Sequence, residues 1–197
     1  MKESSKKKAS AAGPDHDEFY EMKFPLGKKG TRVVSATGSF GRALVIRLRP
    51  GTDLFTGIRA ACEKHGVKGG VISCVFGSLQ KCCLGYVRPT AEPHMKSGLD
   101  LIRLPGPIEF SSAQGTISET KEGGIFIHIH GVVADRHNRC FAGHFIEGEN
   151  IVLANLEVAI AEVVGMRMGR EIEPELGWEL LTPTEAPSAK TAKPKRR

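Results

Sequence analysis

The features that this sequence lacks already narrow its function. The 197 residues contain 5 cysteines and no C-x-x-C pair, which excludes a disulfide scaffold and a structural zinc ribbon. No run of about 18 apolar residues occurs, so we expect no membrane-spanning segment. Residues 1–13 lack the apolar stretch of a signal peptide. No phosphate-binding glycine loop, serine-centred elbow or kinase signature is present. These absences favour a cytoplasmic protein with reduced thiols.

The composition is that of one folded domain with polar ends. Hydrophobic residues make up 40% of the chain and charged residues 25%, which is ordinary for a globular protein. The length of 197 residues corresponds to a single domain with tails. We divide the chain into a flexible, partly basic segment at residues 1–29, a domain at 30–182, and a basic disordered tail at 183–197.

The net charge of +6 is concentrated at the two ends of the chain. Residues 1–13 carry a net +3 and residues 183–197 a net +4, which leaves −1 for residues 14–182. A flexible basic arm can bind the phosphate backbone of DNA by releasing counterions. The alternative is a tail that only keeps the protein in solution. The candidate DNA-contacting residues are Lys6, Lys7, Lys8, Lys193, Lys195, Arg196 and Arg197.

Local patterns predict one helix among many short strands. Thr52 or Asp53 is a good N-cap, apolar residues follow at helical spacing, and Gly66 stands at the C′ position, so the helix is predicted at 53–65. Residues 150–164 fit both a helix and a strand. The pattern indicates an α+β domain with a compact antiparallel sheet. The predicted strands are 31–50, 69–88 (one bulged strand or two strands), 108–119, 124–133 and 140–147.

A group of histidines in two neighbouring predicted strands is the most informative feature. Because residues i and i+2 share one face of a strand, His128 and His130 point the same way. A hairpin centred on His137 places His130 opposite His144, and His128 opposite Ile146. Three imidazoles then converge on one face of this hairpin.

Three neutral imidazoles suit a divalent metal ion, with zinc as first choice and iron or nickel as alternatives. Such a site keeps an open position for water or substrate. The competing interpretation is that these histidines are packed and satisfied by hydrogen bonds. Glu109 lies in an apolar predicted strand and is a candidate general acid or base, or a partner for one histidine; alternatively, it faces solvent. Cys140 is the cysteine next to the cluster.

Five segments, in this order, resemble the plant-and-prokaryote-conserved (PPC) domain. They are RLRPGTDLFTGIRAACEKHGV, GGVISCVFGSLQKCCLGYV, GPIEFSSAQGTIS, FIHIHGVVADRHNRCFAGHF and EPELGWELL. The resemblance covers residues 30–182. It implies a compact α+β domain that assembles as a homotrimer.

The resemblance also carries functional expectations. In plant members the domain lies behind AT-hooks, and prokaryotic members carry a DNA-binding label that rests on this analogy. This chain has no AT-hook, and Pro107 stands where the plant motif has arginine. His128, His130 and His144 match histidines of the prokaryotic form. The fold is also similar to that of acetolactate decarboxylase, which holds zinc with three histidines.

Three hypotheses about function follow. The first is a trimeric DNA-associated protein, cytoplasmic or on the nucleoid, whose basic tails contact the phosphate backbone and whose domain holds a three-histidine metal site. The second is a metal-dependent lyase or hydrolase that acts on a small carbonyl or ester substrate at the histidines. The third is a module that only oligomerises or binds partner proteins.

Overall fold

Strands make up nearly all of the regular structure. A computed structural model describes residues 33–87, 99–174 and 177–186. Its elements, in chain order, are β1 (Ser39–Leu48), α1 (Leu54–His65), β2 (Gly70–Val87), β3 (Leu99–Glu119), β4 (Ile125–Asp135), β5 (Cys140–Phe145), β6 (Ile151–Val164), β7 (Met166–Glu173) and β8 (Trp178–Glu185).

The eight strands form one sheet in the order β1-β6-β2-β5-β4-β3-β7-β8, and β2 also pairs with β3. The strands β2, β5, β4 and β3 therefore make a closed circuit of pairings. Pairing is antiparallel except for one parallel contact, between Glu119 of β3 and Gly169 of β7. The predicted α+β class is confirmed as a sheet-dominated domain with one short helix.

Helix α1 begins and ends where its caps predict. The side chain of Asp53 accepts hydrogen bonds from the backbone N–H groups of Phe55 and Thr56, and Gly66 ends the helix with a φ of 67°. One face is buried in the core, through Leu54, Phe55, Ile58 and Cys62. Within the described ranges, no helix has the length and hydropathy needed to span a bilayer.

Residues 151–164 form strand β6 rather than a helix. The strand lies between β1 and β2 and pairs with both. Its buried residues, Val152, Leu156, Val158 and Ile160, lie at even positions, as expected for one face of a strand. Three of them are also spaced four apart, which explains why the sequence pattern fits a helix equally well.

Strand β3 begins at Leu99, nine residues before the predicted strand at 108–119. Its first half was missed because proline donates no backbone hydrogen bond and argues against a strand. The structure places Pro105 opposite Lys81, where the pairing of β2 with β3 shifts register. Residues 70–87 form one strand with such irregularities, the first of the two alternatives for that segment.

The C-terminal boundary also differs from the expectation. Strand β8 runs to Glu185, so residues 183–185 are strand and not part of a disordered tail. They pair with residues 166–168 of β7 at the edge of the sheet, where Pro183 is tolerated because one side of the strand is unpaired.

Candidate metal centre

Side chains alternate between the two faces of β4, so its histidines lie on the face away from the core. Ile127 and Ile129 are buried on one face, and His128 and His130 lie on the other face because their side chains alternate with the isoleucines. The strand is held between β3 and β5. This position fixes the backbone that carries the two histidines.

The β4–β5 turn sets the register that brings in the third histidine. The carboxylate of Asp135 accepts hydrogen bonds from the backbone N–H groups of His137 (2.8 Å) and Arg139 (3.0 Å), and Asn138 adopts a φ of 58°. His130 pairs with His144 as predicted. The predicted pairing of His128 with Ile146 is wrong, because β5 ends at residue 145.

The three imidazole rings form a nearly equilateral triangle. The ring centroids of His128, His130 and His144 lie 4.9, 4.9 and 5.1 Å apart. The Nε2 atoms of His128 and His130 are 3.0 Å apart. One nitrogen from each ring lies within 4.8 Å of the other two. The predicted convergence is therefore present in the structure.

The environment favours neutral imidazoles. Burial, followed by the proximity of His144, His130 and Arg170, lowers the pKa of His128 to about 4. Burial also lowers the pKa of His130, and burial together with His130 and Arg170 lowers that of His144. Each ring is then uncharged at neutral pH, which is the form that ligates a metal ion.

The donor set fits a divalent ion. Zinc–nitrogen bonds of about 2.0–2.1 Å place two nitrogens of a tetrahedral site about 3.4 Å apart, close to the 3.0 Å between the Nε2 atoms of His128 and His130. Within the described residues, that contact is the only hydrogen bond of the three rings. The competing interpretation, histidines satisfied by other polar groups, therefore has little support in this part of the chain.

The histidines line a cleft of about 830 Å³, a size typical of small-molecule sites. Most of the other side chains in its walls are apolar or aromatic. Arg170 and Glu179 are the charged residues of the described lining. The apolar and aromatic walls include Tyr86, Val87, Leu99, Phe126, Trp178 and Leu180.

Glu109 and Cys140 lie away from the histidine cluster. Glu109 is exposed and stands opposite Ala134, four residues along β4 from His130, which is about 13 Å. Cys140 is exposed and also pairs with Ala134. It lies four residues along β5 from His144, which is again about 13 Å. The seven basic tail residues, Lys6, Lys7, Lys8, Lys193, Lys195, Arg196 and Arg197, lie outside the described residues.

Arg170 of β7 is a cleft residue that the sequence patterns did not single out. Its exposed fraction is 6%, and its Cζ atom lies 3.8 Å from the centroid of the Phe126 ring. The sequence pattern that could have identified it is the alternation of residues 168–172, which places Arg170 on the same face of a strand as Met168 and Ile172. An arginine on the apolar side of such a strand indicates a buried cation.

Comparison with protein families matches most of the described chain to one known domain. The family model of the Plants and Prokaryotes Conserved (PCC) domain matches residues 35–164. This range includes the three histidines and ends before β7. A comparison with curated proteins gives no significant match.

Several solved structures share the fold. A plant- and prokaryote-conserved (PPC) protein of Pyrococcus horikoshii is 28% identical, with a TM-score of 0.64, over 76% of this chain and 96% of that one. A metal-containing protein of Archaeoglobus fulgidus is 22% identical, with a TM-score of 0.64, over 77% and 99%. A protein of Ralstonia eutropha, provisionally named as DNA-binding, is 18% identical, with a TM-score of 0.59, over 70% and 88%.

The α-acetolactate decarboxylase of Bacillus subtilis matches at 14% identity and a TM-score of 0.44, over 64% of this chain and 53% of that one.

Proposed function

Because the chain belongs to the Plants and Prokaryotes Conserved (PCC, or PPC) domain family, we propose that it is a homotrimeric metal-binding protein. Each chain holds one divalent ion at His128, His130 and His144, with zinc as first choice and iron or nickel as alternatives. The observation that carries this proposal is the convergence of three imidazoles in a cleft of ligand size. The metal-containing relative of Archaeoglobus fulgidus supports it.

The arrangement favours a small-molecule ligand beside the ion. An ion held by three imidazoles keeps an open position, from which it can act as a Lewis acid on a carbonyl or ester oxygen. The walls of the cleft are largely apolar, and Arg170 supplies a positive charge. A lyase or hydrolase activity on a small carbonyl or ester substrate fits these features.

The metal content of the full chain, purified without a histidine tag, tests this proposal. We expect about one zinc, iron or nickel ion per chain, and its loss in His130→Ala. The matched control is His137→Ala, because His137 lies in the β4–β5 turn and outside the cluster; this variant should keep the ion. A folded wild-type protein that takes up none of the three metals would refute the proposal.

The trimer has support from exposed apolar side chains on β1, β6 and β2, which share one side of the sheet with charged Arg47 and Glu157. Val45, Phe76 and Leu153 are 78%, 45% and 40% exposed. The alternation of the three paired strands directs these side chains to the same side of the sheet. Exposed apolar side chains that share one face are common at interaction sites, and a second copy of the chain is the partner that the family implies.

Light scattering tests the trimer. We expect a mass three times the 21.3 kDa of one chain. Val45→Asp should reduce this mass, because it buries a charge in the interface. Ile172→Asp is the control, since Ile172 is 57% exposed on β7, outside β1, β6 and β2. A monomeric wild-type chain at micromolar concentration would contradict this assignment.

DNA association is a second function, favoured by the distribution of charge. The two ends carry +3 and +4 while the middle of the chain carries −1, so contact with DNA is assigned to the tails. Three copies of each tail would bind phosphates together, and avidity would compensate for weak single contacts. The provisional DNA-binding name of the Ralstonia eutropha protein agrees with this function. The five free thiols agree with a reducing cytoplasm, near the nucleoid.

Fluorescence anisotropy with labelled AT-rich and GC-rich duplexes tests DNA association. We expect the full chain to bind both duplexes similarly, and to lose affinity steeply as salt increases. A full-length variant should lose this binding when serine replaces Lys6, Lys7, Lys8, Lys193, Lys195, Arg196 and Arg197. Unchanged binding by that variant, or no binding by the wild type at low salt, would contradict DNA association through the tails.

A further inference from the structure

Arg170 is a buried cation whose hydrogen-bonding capacity is only partly used. Its Nη2 atom donates to the backbone carbonyl of Glu179, and its guanidinium lies over the ring of Phe126. The Nε and Nη1 atoms are buried and have no hydrogen-bond partner among the described residues. The carboxylate of Glu179 acts on Arg170 only through space.

Two unpartnered donors on a buried charge are unfavourable in the isolated chain. A buried polar group without a partner destabilises a protein, and the effect is larger when the group is charged. Burial accordingly lowers the pKa of Arg170, although an arginine stays protonated at neutral pH. An anion that enters the cleft could accept one of these hydrogen bonds and reduce the penalty.

The cleft favours a carboxylate over a phosphate. Besides Arg170, the charged residue of its described lining is the acidic Glu179. The charge of one guanidinium balances that of one carboxylate, and a free donor of Arg170 can form a charge-assisted hydrogen bond with it. In the metal-free cleft, a phosphate dianion would carry one negative charge more than the guanidinium of Arg170 balances.

We propose that the cleft binds a small monocarboxylic acid with an apolar body, and that Arg170 holds its carboxylate beside the three histidines. Phe126, beneath the guanidinium, lies two residues before His128 on the same face of β4, about 7 Å along the strand. An acid of a few carbons spans that distance. Its apolar body would lie against Val87, Leu99 and Leu180.

This inference deepens the proposed function by naming a ligand class for the same site. Arg170 itself lies outside residues 35–164, the range matched by the family model. Ligand selection would therefore depend on a part of the chain beyond the matched domain. The contact with Arg170 requires no metal ion, so the two proposals can fail separately.

Trp178 provides a direct measurement of ligand binding. It is the only tryptophan of the chain and it lines the cleft. The probes are phenylacetate, its uncharged analogue phenylacetamide, and phenyl phosphate, titrated into the full chain with and without zinc. We expect phenylacetate to bind at least about tenfold more tightly than phenylacetamide, which corresponds to one charge-assisted hydrogen-bonded contact.

Variants separate the role of Arg170 from that of the metal. Arg170→Met should abolish the preference for phenylacetate over phenylacetamide, and Arg170→Lys should keep part of it. Arg136→Met is the control, because Arg136 lies in the β4–β5 turn outside this cleft, and it should keep the full preference. His130→Ala should lose zinc and still prefer the carboxylate.

The outcomes distinguish the two proposals. A preference for phenylacetate without uptake of zinc, iron or nickel would contradict the metal site and support the role of Arg170. Zinc uptake with equal binding of phenylacetate and phenylacetamide, or with no fluorescence response, would overturn the role of Arg170. Tighter binding of phenyl phosphate to the metal-free protein would overturn the choice of a carboxylate. The wild-type comparison of the probes decides the question even if Arg170→Met fails to fold.

Discussion

Replacing Asn150 with alanine should destabilise the domain next to its histidine cluster. Asn150 is fully buried. Its Oδ1 atom accepts a hydrogen bond from the backbone N–H of Cys83 (3.0 Å), and its Nδ2 atom donates to the backbone carbonyl of Ile146 (2.5 Å). The side chain therefore ties β2 to the segment that follows His144.

The structure sets the size of this effect. Alanine removes two hydrogen bonds, worth about 1 kcal/mol each, and leaves the buried N–H of Cys83 without its partner, at about 1–3 kcal/mol if no water reaches it. The carbonyl of Ile146 still accepts a hydrogen bond from the backbone N–H of Glu149. Allowing for partial relaxation, we expect the free energy of unfolding to fall by about 2–4 kcal/mol.

Urea denaturation at one fixed protein concentration measures this change, since an oligomer's stability depends on concentration. The matched control is Asn155→Ala, because the side chain of Asn155 makes a single long contact of 3.4 Å with Glu157; its effect should be below about 0.5 kcal/mol. Equal stabilities of Asn150→Ala and the wild type would refute the reasoning from buried hydrogen bonds.

Two further predictions concern pH and thiol reactivity. Hydrogen bonds from the side chain and backbone of Arg42 lower the pKa of Glu162 to about 2, so their stabilisation is present at neutral pH and is lost as the pH falls from 4.5 towards 2. Glu162→Gln should lower stability by about 1 kcal/mol at pH 7, a value limited by solvent around Arg42, and by less at pH 3 in the same urea assay; an equal effect at both values would contradict this linkage. Burial raises the pKa of Cys62 to about 11 and that of Cys82 to about 12. A thiol reagent at pH 8 should therefore label exposed Cys140 first and these two only after unfolding, whereas rapid labelling of all cysteines would contradict their burial.

The histidine cluster was predictable because its determinants are local. Side-chain alternation places His128 and His130 on one face, and the turn between Asp135 and Arg139 sets the register that brings in His144. The caps of α1 were predictable for the same reason, since Asp53 and Gly66 make their hydrogen bonds with residues a few positions away.

Other features depend on contacts between distant parts of the chain. Pro105 is compatible with β3 only because the partner strand shifts register opposite it. The strand state of residues 151–164 depends on pairing with both β1 and β2. The position of Arg170 over Phe126 joins two strands that are far apart in sequence. The periodicity of a short stretch of sequence does not reveal which distant segments pair or pack together.

X-ray absorption spectroscopy of the zinc-loaded full chain tests the central claim most directly, because it reports the atoms that ligate the metal. We expect a shell that includes three imidazole nitrogens at about 2.0–2.1 Å. In His130→Ala this three-imidazole signal should disappear. Sulfur at about 2.3 Å, or a shell of oxygen atoms without imidazole, would show that the ion binds elsewhere and would contradict the assignment to His128, His130 and His144.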